Sequence, residues 1–267
     1  GDTFAKPLLA ALDAEPDRWD ISSLWLVISS GVIWSADVKA GLLKHNPRLM
    51  MVDSLGSSEA VGMARSTSRL GRTSETAGFE LGPGARVLGD DGVDVVPGSG
   101  QAGRVALRGR GPIGYYKDPQ KSASTFVVLD GERWTIPGDF AVVRSDGSVQ
   151  LLGRGSGCIN TGGEKVFPEE VEEALKLHPA VADAVVVGVP DARFGEMVTA
   201  VVEFAPGYGA VAGADLAQWV KTQLAAYKAP RHLFPVSTIG RSPSGKVDYR
   251  RWREYAVEAV KEEPTPS

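Results

Sequence analysis

Gly153-Arg154-Gly155-Ser156-Gly157-Cys158-Ile159-Asn160-Thr161-Gly162-Gly163-Glu164-Lys165-Val166-Phe167-Pro168-Glu169-Glu170-Val171-Glu172 is the stretch that organises this chain. Its first five residues hold three glycines and a serine. That density suits either a hinge, where few residues absorb large backbone changes, or a plain linker. A short strand, a Gly162-Gly163 turn and a basic residue follow, and Pro168 with Glu169 and Glu170 opens a helix whose N-terminal dipole favours acids. The composition shift puts a domain boundary near residues 154–156.

Working outward, Ala184-Val185-Val186-Val187-Gly188-Val189 and the run from Val198 to Phe204 read as strands, and Asp215 to Ala226 as an amphipathic helix. Residues 154–267 are therefore expected to form a compact α+β unit, its tail Pro264-Thr265-Pro266-Ser267 frayed. On the other side, β-branched segments such as Ala85-Arg86-Val87-Leu88 and Gly103-Arg104-Val105-Ala106-Leu107 are punctuated by Asp90-Asp91-Gly92, Pro97-Gly98 and Asp146-Gly147. This texture predicts a small β-barrel or sheet over 71–153, with a hairpin at Asp146-Gly147. Residues 1–70 alternate instead: a helix with Pro7 in its first turn, a strand at Leu24 to Ile28, a helix from Ser35 to Asn46 stopped by Pro47, and a strand at Leu49 to Val52. Such alternation predicts a parallel α/β layer whose binding crevice lies past the strands' carboxyl ends, in the loop from Asp53 to Gly62.

Composition bounds the function. The 267 residues are 43% hydrophobic and 23% charged, which is globular rather than disordered. Lys and Arg number 29 against 33 acids, and the balance is even along the chain, 16 against 18 over residues 1–153. Neither part carries the footprint of a nucleic-acid or membrane surface. The single Cys158 excludes an intrachain disulfide framework and suits a reducing cytoplasm; beside Ile159 it reads as a small buried hydrophobe rather than a nucleophile. His45, His178 and His232 lack metal-ligand spacing. The acid pairs Glu169-Glu170 and Glu172-Glu173 read as a solvated helix start. No run of 18 apolar residues exists to span a membrane, and the opening Gly1-Asp2-Thr3-Phe4 has the look of an internal start.

Three further segments could carry chemistry. Leu55-Gly56-Ser57-Ser58-Glu59 puts a glycine, two hydroxyls and a carboxylate on a loop after a strand, able to hold phosphate oxygens and their Mg²⁺, or simply to form a Ser-rich turn. An exposed Asp139 after Gly138 suits a ribose, since a carboxylate accepts two hydroxyl bonds, or else marks a turn. Arg241-Ser242-Pro243-Ser244-Gly245-Lys246 presents a lysine on a mobile loop without the spacing of a phosphate loop, and a solvated surface lysine is the plain alternative.

Taken in order, Gly-Ser-Ser-Glu, Pro-Gly-Asp, the long Gly153–Glu172 motif and Pro-Ser-Gly-Lys resemble the adenylate-forming superfamily of acyl-CoA synthetases, luciferases and peptide-synthetase adenylation domains. Bacterial fatty-acyl-CoA synthetases are the most similar, and Ser29-Ser30-Gly31-Val32-Ile33-Trp34 extends the likeness over essentially the whole chain. The resemblance implies an α/β segment (1–70) and a β-barrel-like segment (71–153) of a large N-terminal domain, then a small mobile α+β C-terminal domain (154–267) joined by a hinge. It implies ATP-dependent acyl adenylation followed by thioester formation, with ATP, Mg²⁺, coenzyme A and a hydrophobic carboxylic acid as reactants. Ser30, Gly31, Asp53, Ser54, Leu55, Gly56, Ser57, Ser58, Asp139 and Arg154 would bind nucleotide, Glu59 would hold Mg²⁺, and Lys246 would bridge the carboxylate and α-phosphate. Gly162, Gly163 and Lys165 would meet coenzyme A, and Ser156 would be the hinge.

Two departures stand out. Ser156 takes the hinge position where many relatives carry Asp or Lys, and Ile33-Trp34 replace a Pro-Leu pair, so that Trp34 either shapes an acyl pocket or joins the core. The family's Ser/Thr/Gly-rich phosphate loop has no counterpart in residues 1–52. The expectation is therefore the C-terminal half of a longer enzyme, inactive without its N-terminal half. An acyl-AMP ligase serving a carrier protein and a non-catalytic nucleotide-binding or interaction module are the rivals.

Overall fold

The computed structural model describes residues 1–209 and 211–262, so the expectation for the Pro264–Ser267 tail lies outside the described residues. The chain divides into two compact units, Gly1–Leu152 and Gly153–Ser267.

The first unit opens with α1 (Asp2–Ala14), β1 (Leu26–Ser30), α2 (Ala36–His45) and β2 (Met50–Leu55). β1 and β2 run parallel, as the alternating pattern predicts, with Ser29 opposite Asp53 and Ser30 opposite Ser54. Two readings need correction. Pro7 lies inside α1, not in its first turn, because the helix begins at Asp2. Strand β2 runs on to Leu55, so Asp53, Ser54 and Leu55 are strand residues, and the loop begins only at Gly56. Antiparallel pairing with β3 (Ala64–Ser68), where Leu55 faces Ala64, keeps that strand extended past its apolar run. Leu12, Trp34, Leu42, Leu43, Leu49 and Met51 pack under this layer, so Trp34 is core.

The remaining strands are β4 (Gly78–Leu81), β5 (Ala85–Leu88), β6 (Ala102–Arg108), β7 (Phe126–Leu129), β8 (Glu132–Thr135), β9 (Asp139–Val143) and β10 (Val149–Arg154), with α3 (Pro119–Thr125) before β7. They continue the same sheet in the order β1-β2-β3-β4-β10-β9-β6-β8-β7, with β5 on the other side of β6. The sheet is open, which corrects the barrel expectation. One edge of β6 is shared by β9 at Ala102–Arg104 and β8 at Leu107–Arg108, and Ile136-Pro137-Gly138 breaks what would be one strand between them. The expected hairpin is present: Arg144 and Ser148 pair across Asp146-Gly147, with Gly147 at φ +82°. Met63, Phe79, Val105, Ala141 and Val149 form the core here.

The second unit contains β11 (Ile159–Thr161), β12 (Glu164–Val166), α4 (Pro168–Lys176), β13 (Val181–Asp191), β14 (Gly195–Phe204), α5 (Gly213–Gln223), β15 (His232–Val236) and α6 (Tyr249–Glu262). Its sheet runs β12-β11-β14-β13, with β15 beside β14 in parallel. The apolar Ala184–Val189 run follows from two-sided burial. Ala184 and Val186 join the α4 and α5 core with Leu175, Leu216 and Val220, while Val185, Val187 and Val189 face Trp252 and Ala256 of α6. Among the described residues, no helix is long and apolar enough to cross a membrane.

Candidate functional site

In the first unit, the carboxyl ends of the parallel pair β1 and β2 bring Ser30 and Gly31 beside Asp53, Ser54 and the loop that follows. Ser30 Oγ donates to the Ser54 carbonyl at 2.9 Å, and Gly31 follows at φ +81°. Beyond Leu55, the loop folds into a tight turn in which Ser57 N–H donates to the Ala60 carbonyl at 2.9 Å and Ala60 N–H reaches Ser57 Oγ at 3.2 Å. A Cβ on Gly56 would come within 3.2 Å of the Ala60 carbonyl and the Gly62 nitrogen, so glycine allows this closure. Ser58 is left exposed and Glu59 half-buried.

Glu59 is oriented by a residue that no sequence pattern singles out. The Tyr115 hydroxyl donates to Glu59 Oε1 at 2.6 Å, and Lys121 Nζ lies 4.1 Å from the centre of the Tyr115 ring. The two partners are 56 residues apart, and neither periodicity nor spacing links them. Asp53 is buried beside the buried Lys39, and burial pushes its carboxyl up to about 6 against the opposing pull of that lysine. Asp139 begins β9 after Gly138 at φ +101°, and is 7% exposed. The expected exposed aspartate is therefore corrected: the strand start folds the carboxylate inward.

In the second unit, the candidates occupy three segments. Arg154 ends β10, exposed, with its N–H donating to Glu169 Oε1 at 3.3 Å, and the exposed Ser156 is the middle residue of a single 3₁₀ turn, Gly155–Gly157. Cys158 is half-buried just before β11, and burial pushes its thiol up, away from nucleophile behaviour. Gly162 and Gly163, at φ +60° and +89°, make the two-residue turn joining β11 to β12, and Lys165 stands exposed opposite Asn160. Lys246 is exposed after the buried Gly245, on a loop that closes through hydrogen bonds of its own.

The acid pair Glu172-Glu173 also needs correction. Glu172 is 4% exposed, accepts the Val186 N–H at 3.0 Å and the Tyr249 hydroxyl at 3.1 Å, and burial pushes it up to about 8. It lies on the face of α4 that packs on β13, which an i, i+1 pair of acids does not reveal. A groove of about 580 Å³ runs past Ser156, Cys158, Glu196, Tyr249 and Arg253. Among the described residues, no three His, Cys, Asp or Glu side chains gather to hold a metal ion.

Residues 170–246 match the family described as AMP-binding enzyme C-terminal domain. The chain is 47% identical over 267 residues to the medium/long-chain-fatty-acid–CoA/3-oxocholest-4-en-26-oate–CoA ligase of Mycobacterium tuberculosis, covering 97% of this chain and 47% of that protein. It is 45% identical to the 3-oxocholest-4-en-26-oate–CoA ligase of Rhodococcus rhodochrous, covering 94% of this chain and 46% of that protein. The chain is therefore similar to the C-terminal domain of AMP-binding enzymes over residues 170–246, and to acid–CoA ligases along nearly its whole length. Among solved structures, ATP-bound MatB from Rhodopseudomonas palustris superposes with a TM-score of 0.70 at 29% identity, covering 88% of this chain and 46% of that one. The chain thus spans about half the length of the curated relatives it matches.

Proposed function

We propose that this chain supplies the C-terminal half of an AMP-forming acid–thiol ligase, an acyl-CoA synthetase acting on fatty or other hydrophobic carboxylates. The observation that carries the reading is 47% identity across 97% of the chain to a protein named as a fatty-acid–CoA ligase. The edge strand β1 supports the need for an upstream half: Ile28 in it and Trp25 just before it are 65% and 68% exposed, although parallel strands are normally covered on both faces.

In the first half-reaction, a carboxylate oxygen of the acid attacks the α-phosphorus of ATP·Mg²⁺, and pyrophosphate leaves. In the second, the coenzyme A thiol gives up its proton and its sulfur attacks the acyl carbon, releasing AMP. The Ser57 and Ser58 loop would meet phosphate, with Ser30, Gly31, Asp53, Ser54, Leu55 and Gly56 forming the nucleotide wall. Glu59 and the neighbouring hydroxyls are hard oxygen donors suited to the Mg²⁺ carried by ATP, an ion that keeps most of its shell as water and phosphate. Asp139 would take the ribose, with Arg154 serving the same nucleotide. Lys246, a compact ammonium, would stabilise charge developing on the transferred phosphate. Ser156 would be the pivot of the mobile C-terminal domain that withdraws Lys246 and offers Gly162, Gly163 and Lys165 to the thiol substrate. Its cytoplasmic setting belongs to the same proposal, supported by the free thiol of Cys158.

Half-reactions of the full-length polypeptide test this. Lys246→Ala should lower adenylate formation by about 10²-fold or more while sparing thioester formation from supplied acyl-adenylate. Equal loss in both steps would reject the assignment.

A further inference from the structure

Lys246 sits on a turn that is closed locally and fastened from a distance. The Ser242 N–H donates to the Lys246 carbonyl at 2.9 Å, the Gly245 N–H to the Ser242 carbonyl at 2.8 Å, and the Lys246 N–H to Ser242 Oγ at 3.0 Å. These bonds fix the shape of the turn but not its place on the domain. Arg241 supplies the place. Its Nε donates to Asp183 Oδ2 at 2.6 Å and its Nη2 to Asp183 Oδ1 at 2.8 Å, while Nη1 donates to the Gly245 carbonyl at 3.2 Å.

One guanidinium therefore runs from a strand of the sheet to the carbonyl just before Lys246. Asp183 is itself held, because its Oδ1 accepts the Ala184 N–H at 2.8 Å where β13 shifts register against β14. The Arg241 and Asp183 side chains are only 22% and 19% exposed, so water competes weakly for either. A planar fork making two parallel bonds fixes direction as well as distance, which a single ammonium does not.

We propose that Arg241 and Asp183 are positioning residues that aim Lys246 in the adenylation step; the inference rests on the reading of Lys246 given above. Neither touches substrate. They act through the Gly245 carbonyl, and a displacement of about 1 Å at a reacting group can cost about 10²-fold in rate.

The test measures both half-reactions of the full-length polypeptide. Arg241→Gln and Asp183→Asn should each lower kcat for adenylate formation by about 10- to 100-fold. The KM for ATP and acid, and thioester formation from supplied acyl-adenylate, should stay within about twofold. Amide hydrogen exchange at Gly245 and Lys246 should accelerate in Asp183→Asn. Arg241→Lys keeps the charge and serves if Arg241→Gln does not fold; it should show the same selective loss. Adenylate formation within about twofold of wild type in these variants, with Lys246→Ala impaired, overturns the proposal. So does a parallel fall in both half-reactions. Unchanged adenylate formation in Lys246→Ala refutes the underlying reading instead, and the positioning role falls with it.

Discussion

A buried carboxyl without a countercharge bonded to it is a pH-sensitive point in a fold, and Glu172 is one. Its hydrogen bonds come from Val186 and Tyr249, while the charges around it are committed elsewhere: Lys176 to Glu173 and Arg241 to Asp183. Glu169 on the same helix adds like charge, and the Tyr249 phenol is itself pushed up by burial. Because burial raises Glu172 from 4.5 to about 8, the folded state holds its proton more tightly than the unfolded chain. Its stabilising contribution is full below the lower value and is lost as pH rises through the upper one. Stability of the C-terminal unit should thus fall by a few kcal/mol between about pH 5 and about pH 9, and Glu172→Gln should flatten that slope in thermal melts. Tyr115 makes the second residue-scale prediction. Tyr115→Phe removes the donor to Glu59, a charge-assisted bond, and should lower adenylate formation about tenfold in a stopped pyrophosphate-release assay, with a higher Mg²⁺ requirement.

At the scale of elements, the β11–β12 turn shows how a short sequence signal becomes a defined shape. Gly162 and Gly163 both hold positive φ, as a two-residue turn between right-twisted strands demands. Nothing lies within 4 Å of a Cβ placed on Gly163, so an added methyl there meets conformational cost rather than a clash. Gly163→Ala should therefore destabilise the unit by about 1–2 kcal/mol, read by denaturant titration, while slowing thioester formation more than adenylation. The long motif was legible because its glycines, its proline and its acids each have a local conformational role. The reach of β2 to Leu55 was not legible, because Asp53 and Ser54 are poor strand formers held extended by pairing with Ser66 and Arg65.

For the whole molecule, the first unit leaves β1 at a sheet edge with Ile28 and Trp25 exposed, whereas the second has core on both faces of β13. If upstream residues of the full-length polypeptide cover that edge, Ile28→Glu will behave differently in two contexts. In the 267-residue chain it should change stability by less than about 0.5 kcal/mol, the range of surface substitutions. In the full-length polypeptide it should reduce soluble yield and melting temperature, measured side by side. Equal effects in both would remove this support for an upstream half.

The sequence by itself determined the character of each segment and the order of its motifs. Periodicity, turn chemistry and motif order are local properties, and the Asp146-Gly147 hairpin, the parallel β1–β2 pair and the Pro168 helix follow from them. Only the tertiary structure decided that the sheet stays open, that Glu172 is buried, and that Tyr115 meets Glu59 and Arg241 meets Asp183. Those contacts join residues 56 and 58 positions apart. Their geometry depends on how whole elements pack, which no local spacing encodes.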